Sequence, residues 1–471
     1  MNKTLFYFEE ICKIPRPSGH EKKICKYLQN FAKERNLQCF VDDTYNVIIK
    51  KEANYKTNKT LILQAHSDMV CEKEPTSSID FLNDGIKTIV DGDFLKADRT
   101  TLGADNGIGL SMILSVLDNN TLKIPHLECV FTTQEETTML GAINLNTNLL
   151  NGKHLLSIDG TDEGKIEVSS AGMTVFEAEQ NFNNSQEKIN LNTAFEISLT
   201  GLRGGHSGSE IDKGRLNSIK IAGEFLGNFK NNLRLVKIEA GNKSNAIPRD
   251  FNCIVLAQNL SLLDLETCAN EILAKYKKAE PNAKILIKNI SKLQNNIIFD
   301  NTLTIKQTNN LIDFLLNFEN GVLTKNEHSF VVTSNNLASI NLTNGKIKCI
   351  VSLRSSNTNE NNFYELKILN YFKSFGFDAK ITSRAPFFER NQNSYLQPLC
   401  KKTYNQLFNK QAVCEDIHAG LEGGVFAKKI PNLDICVIAP NIYDAHSPSE
   451  KVSISSVERV YNWLEKIIEE F

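Results

Sequence analysis

A chain of 471 residues is too long for a single hydrophobic core, which points to two or more domains. Its hydrophobic content of 41% and charged content of 23% fit a soluble globular protein. A net charge of -2 with scattered basic residues lacks the footprint of a nucleic-acid binder, and no run of about 18 apolar residues offers a membrane span.

Met1 to Ile11 has one lysine, then Glu9 and Glu10, and no long apolar run, so no secretory leader is expected. The eleven cysteines are odd in number and dispersed, which suits free thiols in a reducing cytoplasm. Leu5 to Leu37 reads as helical, interrupted at Pro15-Arg16-Pro17-Ser18-Gly19. Ser18 and Glu21 are expected to form a capping box that restarts the helix. Val47 to Ile49 and Leu61 to Leu63 read as strands. The second leads into His66-Ser67-Asp68. Side chains at i and i+2 of an extended segment point the same way, so Asp68 can orient a metal-binding His66. Asp91-Gly92 is a hairpin signal.

Leu102-Gly103-Ala104-Asp105-Asn106-Gly107-Ile108-Gly109 precedes an apolar helical pattern from Leu110 to Leu117. Its spacing is not that of a phosphate-binding loop, and an acidic residue at its centre suits a cation. Leu127 to Thr133 reads as a strand ending in Gln134-Glu135-Glu136, and Leu155 to Ile158 as another ending in Asp159. Leu433 to Ile438 is a further apolar run, followed by Tyr443-Asp444-Ala445-His446-Ser447-Pro448. His66, Asp105, Glu136, Asp159 and His446 therefore each lie beyond a strand or open a helix. Open α/β sheets place ligands at the carboxyl ends of their strands. Such a set can hold two zinc-type ions if one carboxylate bridges them, with ions about 3.5–4 Å apart. Met173 to Ala385 supplies no further acidic strand-end ligand. Within it, Leu235 to Ile290 and Val331 to Ser383 each read as paired strands, a helix and a further strand, which suggests an internal duplication; two unrelated α+β pieces are the alternative.

These landmarks resemble the aminoacyl-histidine dipeptidases, members of the co-catalytic zinc metallopeptidases that include carnosinase and carboxypeptidase G. The resemblance spans nearly the whole chain. It rests on Ile14-Pro15-Arg16-Pro17-Ser18, His66 to Lys73, Thr100 to Gly109, Glu135-Glu136, Gly204-Gly205-His206-Ser207-Gly208, His418-Ala419-Gly420-Leu421-Glu422 and His446-Ser447-Pro448-Ser449-Glu450. It implies an α/β fold in which a zinc-exopeptidase-like catalytic domain, a mixed sheet flanked by helices over 1–172 and 386–471, is interrupted by an α+β lid over 173–385.

The resemblance also implies roles. His66 and Asp159 would bind one metal, Glu136 and His446 the other, and Asp105 would bridge them, with a cis peptide expected at Asp105-Asn106. The cofactors would be two divalent ions, zinc first, with manganese and cobalt as alternatives. Glu135 would be the general base and Asp68 would orient His66. His206 would donate to the developing oxyanion and Arg354 would clamp the substrate carboxylate. Asn245 would contact substrate, and Glu422 would pair with its free amine. His418 reads either as a further substrate contact or as structural support. The implied activity is hydrolysis of unblocked dipeptides, of the Xaa-His type. An aminoacylase or N-acyl amino acid deacylase with the same metals is the nearest alternative, and a non-catalytic metal-binding relative is another. A homodimer through the lid, with His206 crossing the interface, and His206 acting within its own chain both remain open.

Gln134, Thr138, Gly423 and Arg99 depart from the family's usual residues and bear on substrate preference. His20, His126, His154 and His328 lie outside these motifs and read as structural or surface residues. Cys71 lacks a histidine partner for thiol catalysis.

Overall fold

The computed structural model describes residues 3–182, 193–290 and 302–471. They form two compact units. One comprises Met1–Ser170, Phe387–Ile417 and Leu421–Phe471; the other comprises Ala171–Pro386 and His418–Gly420.

The first unit is built on an eight-stranded sheet. Its strands lie in the order Gln38–Val41, Val47–Lys51, His126–Thr132, Thr60–His66, His154–Ser157, Asp434–Val437, Lys165–Ser170 and Val413–Ile417. The four strands His126–Thr132, Thr60–His66, His154–Ser157 and Asp434–Val437 run parallel. Thr60–His66 is apolar on both faces, and Leu61, Ile62, Leu63 and Ala65 are fully enclosed, as a parallel strand covered on both sides requires. The helix Ala104–Leu117 is buried almost all round. The last helix, Ile454–Glu470, is amphipathic instead and buries Val457, Val460, Trp463, Leu464, Ile467 and Ile468. A small four-stranded sheet orders Ile442–Tyr443, Lys451–Ser453, Phe94–Ala97 and Thr88–Asp91. Its turn at Gly92-Asp93 is the hairpin signalled by Asp91-Gly92. His446 lies in the loop between the first two of these strands.

The register sets the site. His66 pairs opposite Thr132, while Gln64 lies opposite both Val130 and Ser157. The segments carrying His66, Glu135-Glu136 and Asp159 therefore leave neighbouring strands at one end of the sheet.

The second unit is an antiparallel sheet ordered Lys284–Asn289, Thr193–Thr200, Phe251–Ala257, Leu233–Ala240, Val331–Thr343, Lys346–Ser355, Gly172–Asn181 and Asp378–Ala385, with Gly321–Lys325 paired to Val331–Thr343. Residues 193–289 run strand, helix, strand, strand, helix, strand along the main sheet. Gly172–Asn181 followed by 305–385 gives the same order. The two sets meet where Leu233–Ala240 pairs with Val331–Thr343. This unit has its own core, with Phe314 packed against Phe318, Phe372 and Phe377.

The capping box expected at Ser18 and Glu21 does not form. Glu21 sits at the N-cap of Lys22–Glu34 without a side-chain cap bond, and its carboxylate accepts from Gly19 N at 2.7 Å and Gln134 N at 3.1 Å. Ser18 Oγ donates to Asp68 at 2.7 Å, so a charged acceptor has taken the hydroxyl that a helix end would have used. All eleven cysteines are free thiols. Among the described residues, no helix is long and apolar enough to cross a membrane.

Candidate active site

His66 is the last residue of its strand and is 1% exposed. Its Nε2 lies 3.1 Å from Asp105 Oδ1, 3.5 Å from Asp159 Oδ1 and 4.0 Å from Glu136 Oε1. His446 Nε2 lies 3.2 Å from Asp105 Oδ2 and 3.0 Å from Glu136 Oε1. Asp105 thus turns one oxygen to each histidine. The five side chains singled out beyond strands or at a helix start come together here.

Three acids and two imidazoles crowded this closely would repel as anions or demand shared protons. Burial opposes a charged His66, but Asp159, Asp105 and Asp68 outweigh it and hold its pKa well above the usual histidine value. Bonds to Asp105 and Glu136 push His446 up to about 10. Asp159 is raised by burial, with His66 opposing and Asp105 and Glu135 adding. Burial raises Asp105 too, but bonds from both histidines win and leave it ionised well below the carboxylate range.

A divalent cation fits this donor set. One ligating atom each from His66, Asp105 and Glu136 lie within 4.8 Å of one another. Glu136 Oε1 and His66 Nδ1 are buried without a well-aligned hydrogen-bond partner. Mixed imidazole and carboxylate donors suit zinc, manganese or cobalt.

Asp68 does more than face His66 Nδ1 at 3.4 Å. Its carboxylate accepts the backbone N–H of Glu135 at 3.1 Å and of Glu136 at 3.2 Å. It therefore fixes the turn that presents both glutamates. Burial, opposed by His66 and reinforced by Glu136 and Asp105, lifts Glu135 to about 7. The Asp105-Asn106 peptide is cis, and Asn106 Nδ2 donates to Asp159 at 2.8 Å.

Glu422 is 1% exposed. Its Oε2 accepts from Gln64 Nε2 at 2.8 Å and Thr132 Oγ1 at 2.5 Å, while Oε1 is buried and unpartnered. Gln64 is itself held by Ser157 Oγ at 2.6 Å. Burial, reinforced by Glu135, keeps the Glu422 pKa well above the usual range. The glycine that follows is steric, since a Cβ on Gly423 would lie 2.8 Å from the Phe388 ring.

His206, Arg354, Asn245 and His418 belong to the second unit. His206 sits in a two-residue strand paired to Ala246–Ile247. Gly208 N and Ser209 N both point to its Nδ1 at 3.2 Å. That leaves the proton of the neutral ring on Nε2. Arg354 Nη2 lies 3.3 Å from that nitrogen, donor against donor, and its Nε donates to Ser207 Oγ at 3.4 Å. Arg354 is 5% exposed and forms no ion pair among the described residues. His418 Nε2 meets Ser334 Oγ at 2.7 Å. Asn245 is exposed, and its carbonyl accepts from Ser207 N at 2.9 Å.

Of the histidines outside the motifs, His126 pairs with Glu52 and His154 packs against Tyr395 and Phe471. Burial pushes the Cys71 thiol up to about 11, away from thiolate chemistry. Arg16 and Glu450 make contacts with the site that their residue types did not announce.

Residues 62–470 match Peptidase family M20/M25/M40. The chain belongs to this family. It is 34% identical to the cytosol non-specific dipeptidase of Escherichia coli (strain K12), over 98% of this chain and 96% of that one. The structure of aminoacylhistidine dipeptidase from Vibrio alginolyticus superposes with a TM-score of 0.89 at 29% identity, covering 100% of this chain and 96% of that one. Aminopeptidase PepT from Bacillus cereus shares the fold, with a TM-score of 0.58 at 15% identity over 99% of this chain and 98% of its own. The M20 family and its mixed α/β fold agree with the resemblance drawn from the motifs.

Proposed function

We propose that this M20-family chain is a cytosolic, metal-dependent dipeptidase acting on unblocked dipeptides, Xaa-His among them. The observation that carries the reading is Asp105, with one oxygen toward His66 and the other toward His446, flanked by Glu136, Asp159 and the adjacent Glu135. His66 and Asp159 would hold one ion and His446 and Glu136 the other, with Asp105 common to both; zinc is the first choice. Bound ions would acidify water and polarise the scissile carbonyl.

The chain's own groups do the rest. Glu135, lifted to about 7 by burial, takes a proton from the attacking water and returns it to the leaving amine. Asp68 holds Glu135 in place through its backbone N–H. The substrate carboxylate is taken by Arg354, a buried guanidinium with no acidic partner among the described residues. His206, its proton on Nε2, donates to the carbonyl oxygen as charge develops. Glu422 receives the free amine on its unpartnered Oε1. The second unit would act as the lid that carries His206 and Arg354, and a dimer formed through it is one arrangement of the reading.

The test is a dipeptide library offered to chelator-stripped protein with zinc, manganese or cobalt restored. Cleavage of free dipeptides, lost on chelation and absent in Glu135→Ala with metal content near two per chain, is expected. Preference for N-acetylated amino acids would favour the deacylase alternative. No cleavage of either class would overturn the reading.

A further inference from the structure

Two buried charges outside the ligand set grip the turn that carries Asp105. Glu450 is 2% exposed. Its Oε2 accepts the N–H of Leu102 at 2.7 Å and of Gly103 at 2.9 Å, and its Oε1 accepts that of Ala104 at 2.8 Å and of Asp105 at 3.3 Å. Four successive backbone donors therefore converge on one carboxylate. Arg16 is 1% exposed. It donates from Nη2 to Gly103 O at 2.6 Å, and from Nη1 to Asp68 O at 2.8 Å and Ser67 O at 3.3 Å. One guanidinium thus ties the His66–Asp68 turn to the Asp105 turn.

The glycines of the motif make room for it. A Cβ on Gly103 would lie 2.5 Å from Arg16 Nη2, and one on Gly107 would lie 2.6 Å from the same atom. Each charge is met by main-chain dipoles, and no ion pair joins Arg16 to Glu450. Fully buried charges are costly unless such bonds compensate them, so their contacts with this turn define where they act.

We propose that Glu450 and Arg16 are a positioning pair that pre-sets Asp105 to serve two cations at once. Glu450 fixes the N–H side of the turn, Arg16 fixes its carbonyl side, and together they set where the Asp105 carboxylate sits and how it is aimed between His66 and His446. The proposal rests on the metal-site reading above. Partners behind the ligands typically tune metal affinity by roughly 10- to 100-fold. In Glu450→Gln the side-chain amide would face backbone N–H groups, so the turn loses part of its anchor. In Arg16→Lys one point donor replaces a fork, so the link between the two turns weakens.

The experiment uses Co²⁺ as probe on full-length metal-free protein. It records stoichiometry, dissociation constants by equilibrium dialysis and the visible absorption of the bound ion. Thermal unfolding of the metal-free proteins is followed alongside. Val460→Ala, in the core of the same unit, controls for stability loss alone. The expected result is a Co²⁺ affinity roughly 10- to 100-fold weaker, with an altered spectrum, in both Glu450→Gln and Arg16→Lys. Val460→Ala should keep the wild-type affinity and spectrum despite a lower unfolding temperature. Affinities within about twofold of wild type with unchanged spectra, in whichever of the two variants folds, would overturn the proposal. Wild-type protein that binds no pair of Co²⁺ ions would instead sink the metal-site reading.

Discussion

At His206 the hydrogen bonds decide the chemistry. Two backbone donors occupy Nδ1, so the ring can offer only Nε2–H, and that proton already faces Arg354. Burial, then Arg354, lowers the His206 pKa from 6.5 to about 4, while Glu210, itself paired with Arg215, pulls the other way; His418 also faces Arg354 and is neutral for the same reasons. The folded value lies below the unfolded one, so between pH 6.5 and about 4 the unfolded chain binds the extra proton. Stability from this group is present above that window and lost as pH falls through it. Arg354→Met is expected to raise the His206 titration toward the ordinary value, read by NMR of the ring; an unmoved titration would remove Arg354 as a cause. Glu422→Gln keeps an acceptor for Gln64 and Thr132 but cannot ionise against an incoming ammonium group, so KM for free dipeptides should rise about tenfold with a smaller change in kcat. Equal KM values in the two proteins would argue that the amine is read elsewhere. The proposed ligands were legible because each lies beyond a recognisable apolar run or, for Asp105, just ahead of one. The grip of Arg16 and Glu450 was not, because Arg16 lies 87 positions from Gly103 and Glu450 lies 348 from Leu102.

The motif from Leu102 to Gly109 shows how an element is shaped for its neighbours. Gly103 adopts a left-handed φ of 68° at the helix start. Asp105 and Asn106 depart from helical angles before the regular helix proceeds. A Cβ on Gly109 would stand 2.3 Å from Ile158 O and 2.1 Å from Asn106 Oδ1. That close approach brings the helix against the segment that carries Asp159. Gly109→Ala is therefore expected to destabilise the fold by about 1–3 kcal/mol through overpacking against backbone. Because Asn106 bonds Asp159, it should also weaken metal binding; calorimetric unfolding and metal titration check both. The sequence offered the glycines but not their partners, since glycine pattern alone cannot tell a phosphate cradle from a close packing contact. Ser18 shows a related ambiguity. A serine three residues before an acid fits a capping box, yet Asp68 is the stronger acceptor and is remote in sequence.

The two compact units have separate hydrophobic clusters, and every proposed metal ligand falls in the first. Trp463 is the single tryptophan and is enclosed in that first core, where Nε1 donates to Cys400 O and Thr403 Oγ1 at 3.1 Å. Its fluorescence therefore reports one unit, whereas far-UV circular dichroism reports both. Phe314 anchors the other core through ring contacts with Phe318, Tyr371, Phe372, Phe375 and Phe377. Truncating such a buried ring typically costs about 3–5 kcal/mol. If each core is its own cooperative unit, Phe314→Ala should lower a dichroism transition while the Trp463 midpoint stays where it was. Added Zn²⁺ should do the converse, because a ligand stabilises only the state that binds it. It should raise the Trp463 midpoint and leave the other transition unmoved. A Trp463 midpoint that falls with Phe314→Ala, in step with the dichroism, would mean that the two cores unfold as one. The dipeptidase would then owe the stability of its metal site to residues 171–386 as well as to its own sheet.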